Sequence, residues 1–395
     1  MSTKHDYLHR DITKHVNELR NMYPVLTITG PRQSGKTTMV KNLFPDKKYL
    51  NLEDLELFEY ALKDPKGFIQ DISEGAIINE IQKAPQLLSY IQLEVDKADK
   101  KSHFILTGSQ NFLLLNTVTQ SLAGRTALLS LLPFSINELR KDSQDYSSEE
   151  YIFNGFYPRV YRNKINPNYY YRDYIKTYLE RDLRTLKAVH DLSLFHKFLK
   201  LCAGRVGQLL NYQSLSEDLG IASGTVREWI SLLETSYIIF LLEPFSANIN
   251  KRLIKSPKIY FYDTGLVRYL LDITDIKQLK THHLKGALFE NLIILEFMKS
   301  FYNSGLDPSL YFYRDKAKEL DLIIKKAENS LAIEIKSAKT FHDSFLENLN
   351  YYEKLFPENT ESLGIIYDGD LDQKRKNIEV ISFNSLNKFI KKAII

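Results

Sequence analysis

The sequence predicts an α/β protein: a parallel-sheet core, a helical and winged-helix middle, and a second α/β segment at the carboxyl end. Three observations carry this. Through residue 132, short β-branched and apolar runs alternate with helix-periodic stretches. Between Leu215 and Leu233, two helical stripes meet at a glycine turn. Beyond Gly286, one apolar helix is followed by three apolar strand-like runs carrying acidic residues. A chain of 395 residues is too long for one ordinary core. Domains are expected at 1–134, 135–205, 206–280 and 281–395.

Composition narrows the class. Hydrophobic residues at 44% and aromatics at 12%, from 25 Tyr and 22 Phe, exclude a disordered chain. A net charge of +4 permits an acidic partner without requiring one. Cys202 is the single cysteine, which excludes an internal disulfide framework and a zinc site of several thiolates, and fits a reducing cytoplasm. No apolar run approaches the roughly 20 residues that span a bilayer, and the amino terminus has no apolar signal region. A soluble cytoplasmic protein without membrane contact is expected.

Tyr7, Leu8, Ile12, Val16 and Leu19 are spaced for an amphipathic helix leading into a first strand at Val25–Thr29. That strand stops at Gly30-Pro31-Arg32-Gln33-Ser34-Gly35-Lys36-Thr37-Thr38, a phosphate-binding loop. Its glycines let successive N–H groups turn toward a β-phosphate. Lys36 is then expected at the β/γ oxygens and the Thr37 hydroxyl at Mg²⁺, so ATP or ADP is the expected ligand. Met39, Val40 and Leu43 form a helical stripe ending before Pro45, and Tyr49–Leu52 reads as a second strand. Asp54 is expected to cap the next helix, with Glu53 solvated.

Ala76–Ile78 reads as a buried parallel strand closed by Asn79-Glu80, the place where P-loop ATPases keep a second motif. Glu80 would polarise the attacking water, or else form an ion pair at the strand end. Asn79 would hold the Mg²⁺ shell, but stands where Asp is usual and carries no charge. Phe104–Thr107 is a fourth strand ending in Gly108-Ser109-Gln110-Asn111, with Thr107 or Ser109 as γ-phosphate sensor. Arg125 precedes a further run, Ala127–Leu132, closed by Pro133. It would reach a γ-phosphate in its own chain or a neighbouring subunit, or else pair with a carboxylate at a helix end.

Tyr169–Leu186 interleaves tyrosines with Arg172, Lys176, Arg181 and Arg184, which suits either a tyrosine-lined packing face or stacking on nucleic acid. The stripes through Leu219 and over Val226, Trp229, Ile230 and Leu233, with the turn at Gly220-Ile221-Ala222, read as helix-turn-helix. Strands at Tyr237–Leu242 and Ile259–Tyr262, joined by a loop with Lys251, Arg252, Lys255 and Lys258, would add a basic wing. Such modules bind DNA or dock proteins.

At the carboxyl end, a helix at Gly286–Phe301 carries Glu290, and strands at Leu310–Tyr313, Leu320–Ile324 and Leu331–Ile335 carry Asp321 and Glu334. Glu334 and Lys336 share a strand face. Asp321 and Glu334 would hold Mg²⁺ or Mn²⁺, Glu290 would complete the shell, and Lys336 would orient water or stabilise a phosphorane, as in a metal-dependent nuclease. Acid-x-Lys spacing recurs at Asp46, Asp64, Asp99, Asp275 and Asp372, so only the apolar strand around Glu334 singles it out.

Taken together, the Gly30–Thr38 loop, Asn79-Glu80-Ile81-Gln82, Leu106-Thr107-Gly108-Ser109, Leu122-Ala123-Gly124-Arg125, Tyr260-Phe261-Tyr262-Asp263-Thr264-Gly265-Leu266 and Glu334-Ile335-Lys336 resemble one family over nearly the whole chain. These are bacterial and archaeal AAA-type ATPases with a winged helix and a restriction-endonuclease-like carboxyl domain, usually known only as ATP-binding proteins. The resemblance implies nucleotide work for Lys36, Thr37, Glu80 and Arg125, and metal work for Glu290, Asp321, Glu334 and Lys336. Two phosphate-chemistry sites on one chain suggest an ATP-hydrolysing, DNA-associated protein, with a possible homo-oligomer. The competing expectation is a nucleotide-switched regulator that binds DNA or protein through a silent nuclease-like domain.

Overall fold

The computed structural model describes residues 7–97, 101–109, 118, 121–179, 191–245, 256–315 and 318–394. Gln110, Asn111, Arg181, Arg184, Lys251, Arg252 and Lys255 lie outside them. The chain divides into two units: residues through Phe134 with Thr235–Tyr237 and Tyr302–Leu306, and the remainder.

In the first unit, α1 (Thr13–Leu19) precedes β1 (Val25–Thr29), α2 (Lys36–Leu43), β2 (Lys48–Asn51), α3 (Leu55–Lys63), α4 (Pro65–Gln70), β3 (Ala76–Asn79), α5 (Leu87–Lys97), β4 (Phe104–Thr107) and β5 (Thr126–Ser130). The strands are short, apolar and separated by helices, so they pair in parallel, in the order β2-β3-β4-β1-β5. Alternate side chains feed opposite cores. Leu26, Ile28, Ile77 and Ile105 pack with Val16, Met39 and Val40 on one face, and Val25, Ile78 and Leu106 pack with Phe68, Leu88 and Ile91 on the other. Asp54 caps α3, accepting from the N–H groups of Glu56 and Leu57.

The second unit opens with α6 (Ile136–Lys141), α7 (Ser148–Asn154), α8 (Pro158–Arg162) and α9 (Pro167–Tyr174). On α9, Tyr170, Tyr171 and Tyr174 are buried, and Tyr157 Oη donates to Tyr174 Oη at 2.9 Å. These tyrosines are core. After α10 (Leu192–Ala203), α11 (Tyr212–Leu219) ends at left-handed Gly220, and α12 (Ser223–Thr235) buries Val226, Trp229, Ile230 and Leu233.

Strands β6 (Ile239–Pro244) and β7 (Lys258–Phe261) are antiparallel, followed by α13 (Thr264–Leu270), α14 (Ile276–Thr281) and α15 (Lys285–Asn303). Then come β8 (Leu310–Asp315), β9 (Lys318–Lys326), β10 (Asn329–Lys336), α16 (Glu347–Leu355), β11 (Thr360–Tyr367), β12 (Gln373–Arg375), β13 (Ile378–Ser382) and α17 (Leu386–Ile394). All eight strands form one mixed sheet, ordered β12-β13-β11-β10-β9-β8-β6-β7. The sheet takes strands from both sides of residue 280, because β6 runs on past Leu242 and pairs Glu243 and Pro244 with Tyr311 and Phe312 of β8.

Candidate functional site

Because β3, β4 and β1 are adjacent and parallel, their carboxyl ends lie side by side. Gly30 follows β1, Asn79 ends β3 with Glu80 after it, and Thr107 ends β4 with Ser109 beyond. Gly30 has φ +142°, and a Cβ there would meet Leu131 O at 2.2 Å, so the loop's first residue has to be glycine. Gln33 and Gly35 are also left-handed, at φ 63° and 98°.

Lys36 is buried, and its Nζ donates to Gly30 O and Pro31 O, each at 2.8 Å. Burial lowers its pKa to about 8, against an upward pull from the Glu80 carboxylate. Thr37 Oγ1 donates to Asn79 Oδ1 at 3.2 Å, and Thr107 Oγ1 donates to the same oxygen at 2.7 Å. Glu80 sits in left-handed backbone at φ 58°, and its Oε2 accepts from Ser109 Oγ at 3.1 Å and from Gln82 Nε2. The two sensor candidates therefore divide: Thr107 holds Asn79, and Ser109 holds Glu80. The buried Ser34 hydroxyl has no hydrogen-bond partner among the described residues. Pro31 is buried, Arg32 and Gln33 are half-buried, and Thr38 is exposed.

Two supports of this site had no sequence signal. Arg10, 3% exposed within an otherwise apolar stripe, donates to Ser34 O at 2.9 Å and Leu132 O at 2.6 Å, tying the loop to the chain beyond β5. Asn51, at the end of β2, accepts from Asn79 Nδ2 at 2.8 Å and fixes that amide's orientation.

Within its own chain Arg125 takes the alternative reading, a carboxylate partner at a helix end. It precedes β5, whose Thr126 pairs with Val25 at the start of β1, so it stands at the sheet's amino edge, about 15 Å of strand from Gly30. There it forms a bidentate pair with Asp96 at 2.6 and 2.9 Å. It does not reach the phosphate loop of its own chain.

The second expected site also folds differently. Ile333 pairs with Leu322, which sets Glu334 beside Asp321. Lys336 Nζ lies 2.5 Å from Glu334 and 4.0 Å from Asp321, whose Oδ2 accepts from the Ile335 N–H at 2.7 Å. Glu290, however, is taken by β7: it accepts from Lys258 Nζ at 3.1 Å and from Tyr260 Oη. Lys258, read from sequence as part of a basic wing, has a side chain 3% exposed and also pairs with Glu319 at 2.7 Å. Burial and the neighbouring Asp321 carboxylate push Glu290 and Glu334 above the usual carboxylate range. Among the described residues no group of three or more His, Cys, Asp or Glu is arranged to hold a metal ion. Glu290 is thus paired with Lys258, and Asp321 and Glu334 with Lys336.

Residues 22–140 match an AAA domain family, and residues 145–277 and 285–386 match two domains of unknown function, DUF8612 and DUF4143. Uncharacterized proteins of Mycobacterium tuberculosis and Mycobacterium bovis are each 28% identical over 84% of this chain and 74% of their own. Similar solved structures include a Walker-type ATPase of Pyrococcus abyssi, at TM-score 0.45 and 14% identity over 68% of this chain and 97% of that one. Another is AMPPCP-bound DnaA of Aquifex aeolicus, at TM-score 0.30 and 13% identity over 56% and 85%. No helix among the described residues is long and apolar enough to cross a membrane. The phosphate loop lies at the carboxyl edge of a parallel sheet, within the residues, 22–140, that match the AAA domain family.

Proposed function

We propose that this protein binds ATP with Mg²⁺ and hydrolyses it, the nucleotide state serving as a switch for the rest of the chain. The observation that carries this is Lys36, whose buried ammonium rests on Gly30 O and Pro31 O at the edge that also presents Thr37, Asn79 and Glu80. A phosphate would offer that ammonium charged acceptors in place of neutral carbonyls. Gly30 to Thr38 would supply the backbone cradle. Thr37 and Asn79 would hold Mg²⁺, which neutralises charge on the phosphate oxygens. Glu80, aimed by Ser109 and Gln82, would orient the attacking water; the new P–O bond replaces the bond to ADP, and the water's proton leaves with the phosphate. Arg125 would act only in a neighbouring subunit of a homo-oligomer. Glu80→Gln tests the role: nucleotide binding should persist while turnover falls about a hundredfold or more, and unchanged turnover would remove Glu80 from the chemistry.

For the second unit we infer a nuclease-like domain that is silent as folded, and a cytoplasmic, DNA-associated protein. Support for silence comes from Lys258 between Glu290 and Glu319, and support for DNA from the α11–α12 turn, though Arg227, the basic residue of α12, lies over the Tyr212 ring at 4.5 Å. Duplex binding with a steep salt slope and no plasmid nicking in Mg²⁺ or Mn²⁺ is expected. Nicking by the wild type that Lys336→Ala abolishes would overturn the silent reading, and failure to bind any duplex would remove DNA as partner.

A further inference from the structure

Four carboxylates, from Glu290, Glu319, Asp321 and Glu334, gather around two ammonium groups in the second unit, and the two ammonium groups differ in how they are held. Lys336 reaches Glu334 from the same strand face, and its side chain is 33% exposed. Lys258 is delivered by a strand clamped in place: the Phe261 N–H donates to Asn291 Oδ1 at 2.8 Å, and Asn291 Nδ2 donates back to Phe261 O at 2.9 Å. Tyr260, two residues on and on the same face of β7, closes over Glu290 beside it. The Lys258 ammonium is therefore fixed by backbone pairing. It pairs with Glu290 at 3.1 Å and with Glu319 at 2.7 Å.

What remains is unfinished. Glu334 Oε2 has no hydrogen-bond partner among the described residues although the residue is only 2% exposed, so a buried acceptor oxygen stands open to a cation. An ammonium and a divalent ion compete for the same hard oxygens, and the buried one is already in place.

We propose that Lys258 is a built-in cation that keeps a divalent-metal site of Glu290, Asp321 and Glu334 closed. This rests on the silent reading of the nuclease-like domain and supplies its cause. Removing the ammonium frees the Glu290 oxygen that it holds, and a hard ion such as Mn²⁺ takes the place of its charge. The residue that closes the site comes from β7, whereas the carboxylates that form it come from α15, β9 and β10.

The test is Mn²⁺ titration of the full, nucleotide-free chain, followed by the electron paramagnetic resonance signal of free Mn²⁺, for wild type, Lys258→Met and Lys258→Gln. The glutamine keeps length and a donor to the carboxylates, so it serves if the methionine variant fails to fold by circular dichroism. Folded variants should bind Mn²⁺ at least about tenfold more tightly than wild type, and adding Glu290→Gln should abolish the gain. Variants that bind no better than wild type overturn the inference while leaving the silent reading intact. Wild type that already binds Mn²⁺ tightly, loses it with Glu334→Gln and nicks plasmid overturns the silent reading itself.

Discussion

Thr37 Oγ1 donates to Asn79 Oδ1 at 3.2 Å, so the hydroxyl expected to ligate Mg²⁺ is held by a neutral amide where a carboxylate is usual. Thr107 donates to the same oxygen, and Asn51 accepts from the amide nitrogen, so all three neighbours specify asparagine's orientation. The amide satisfies the hydrogen bonds but supplies no charge to a metal.

Asn79→Asp should therefore tighten Mg²⁺ in the nucleotide complex by about tenfold and raise turnover. Turning the Asn51 amide to donate to the new carboxylate gives up the bond its Oδ1 accepts from the Glu53 N–H at 3.3 Å, which offsets part of the gain in stability but not the added charge. Steady-state ATPase rates across a Mg²⁺ titration check this; a variant with unchanged or weaker Mg²⁺ dependence would show that charge at position 79 is not limiting.

Arg10→Met should loosen the phosphate loop without touching nucleotide. Losing both bonds leaves the buried carbonyls of Ser34 and Leu132 unpaired, at a cost of about 2 kcal/mol. Thermal unfolding of the first unit should move down and ADP affinity should fall; a variant with wild-type values for both would make Arg10 incidental.

The pH dependence follows from Lys36, whose pKa burial lowers from 10.5 to about 8. Phosphate charge favours the ammonium, so binding restores a higher value and takes up a proton wherever the free lysine is neutral. The sign is uptake above pH 8, approaching about one proton at pH 9, with affinity falling as pH rises through 8. Calorimetry in buffers of different ionisation enthalpy measures it. No uptake at pH 9 would mean that Lys36 is already charged there.

Arg125→Ala should leave ADP affinity within about twofold of wild type, because the side chain pairs with Asp96 at the opposite edge of the sheet. Equilibrium titration of the variant is sufficient. A tenfold loss would place the guanidinium at the phosphates after all.

The phosphate loop and the strands around it were legible because their signals are local: a glycine pair at fixed spacing, β-branched runs, a proline stop. What a parallel sheet does to edges was not read from those signals. Arg125 lies close in sequence to the strand that flanks the loop, yet parallel pairing puts it at the far end of that strand. Arg10 and Asn51 act through tertiary hydrogen bonds, which leave no periodic trace. Glu334 and Lys336 share a face by strand alternation, and the sequence placed them together. Lys258 was grouped with Lys251, Arg252 and Lys255 in a basic wing, because nothing in the chain announces that Glu290 and Glu319 will meet it from a helix and another strand. Strands β11 to β13 went unread, so the breadth of the second sheet was missed.

Calorimetric titration of ATP with Mg²⁺ into wild type and Lys36→Ala tests the central claim most directly, since every other role depends on a triphosphate seated in the Gly30–Thr38 loop. The account predicts saturable heat at a single site for wild type and none for the variant. No heat from folded wild type, or equal heat from both, would contradict it.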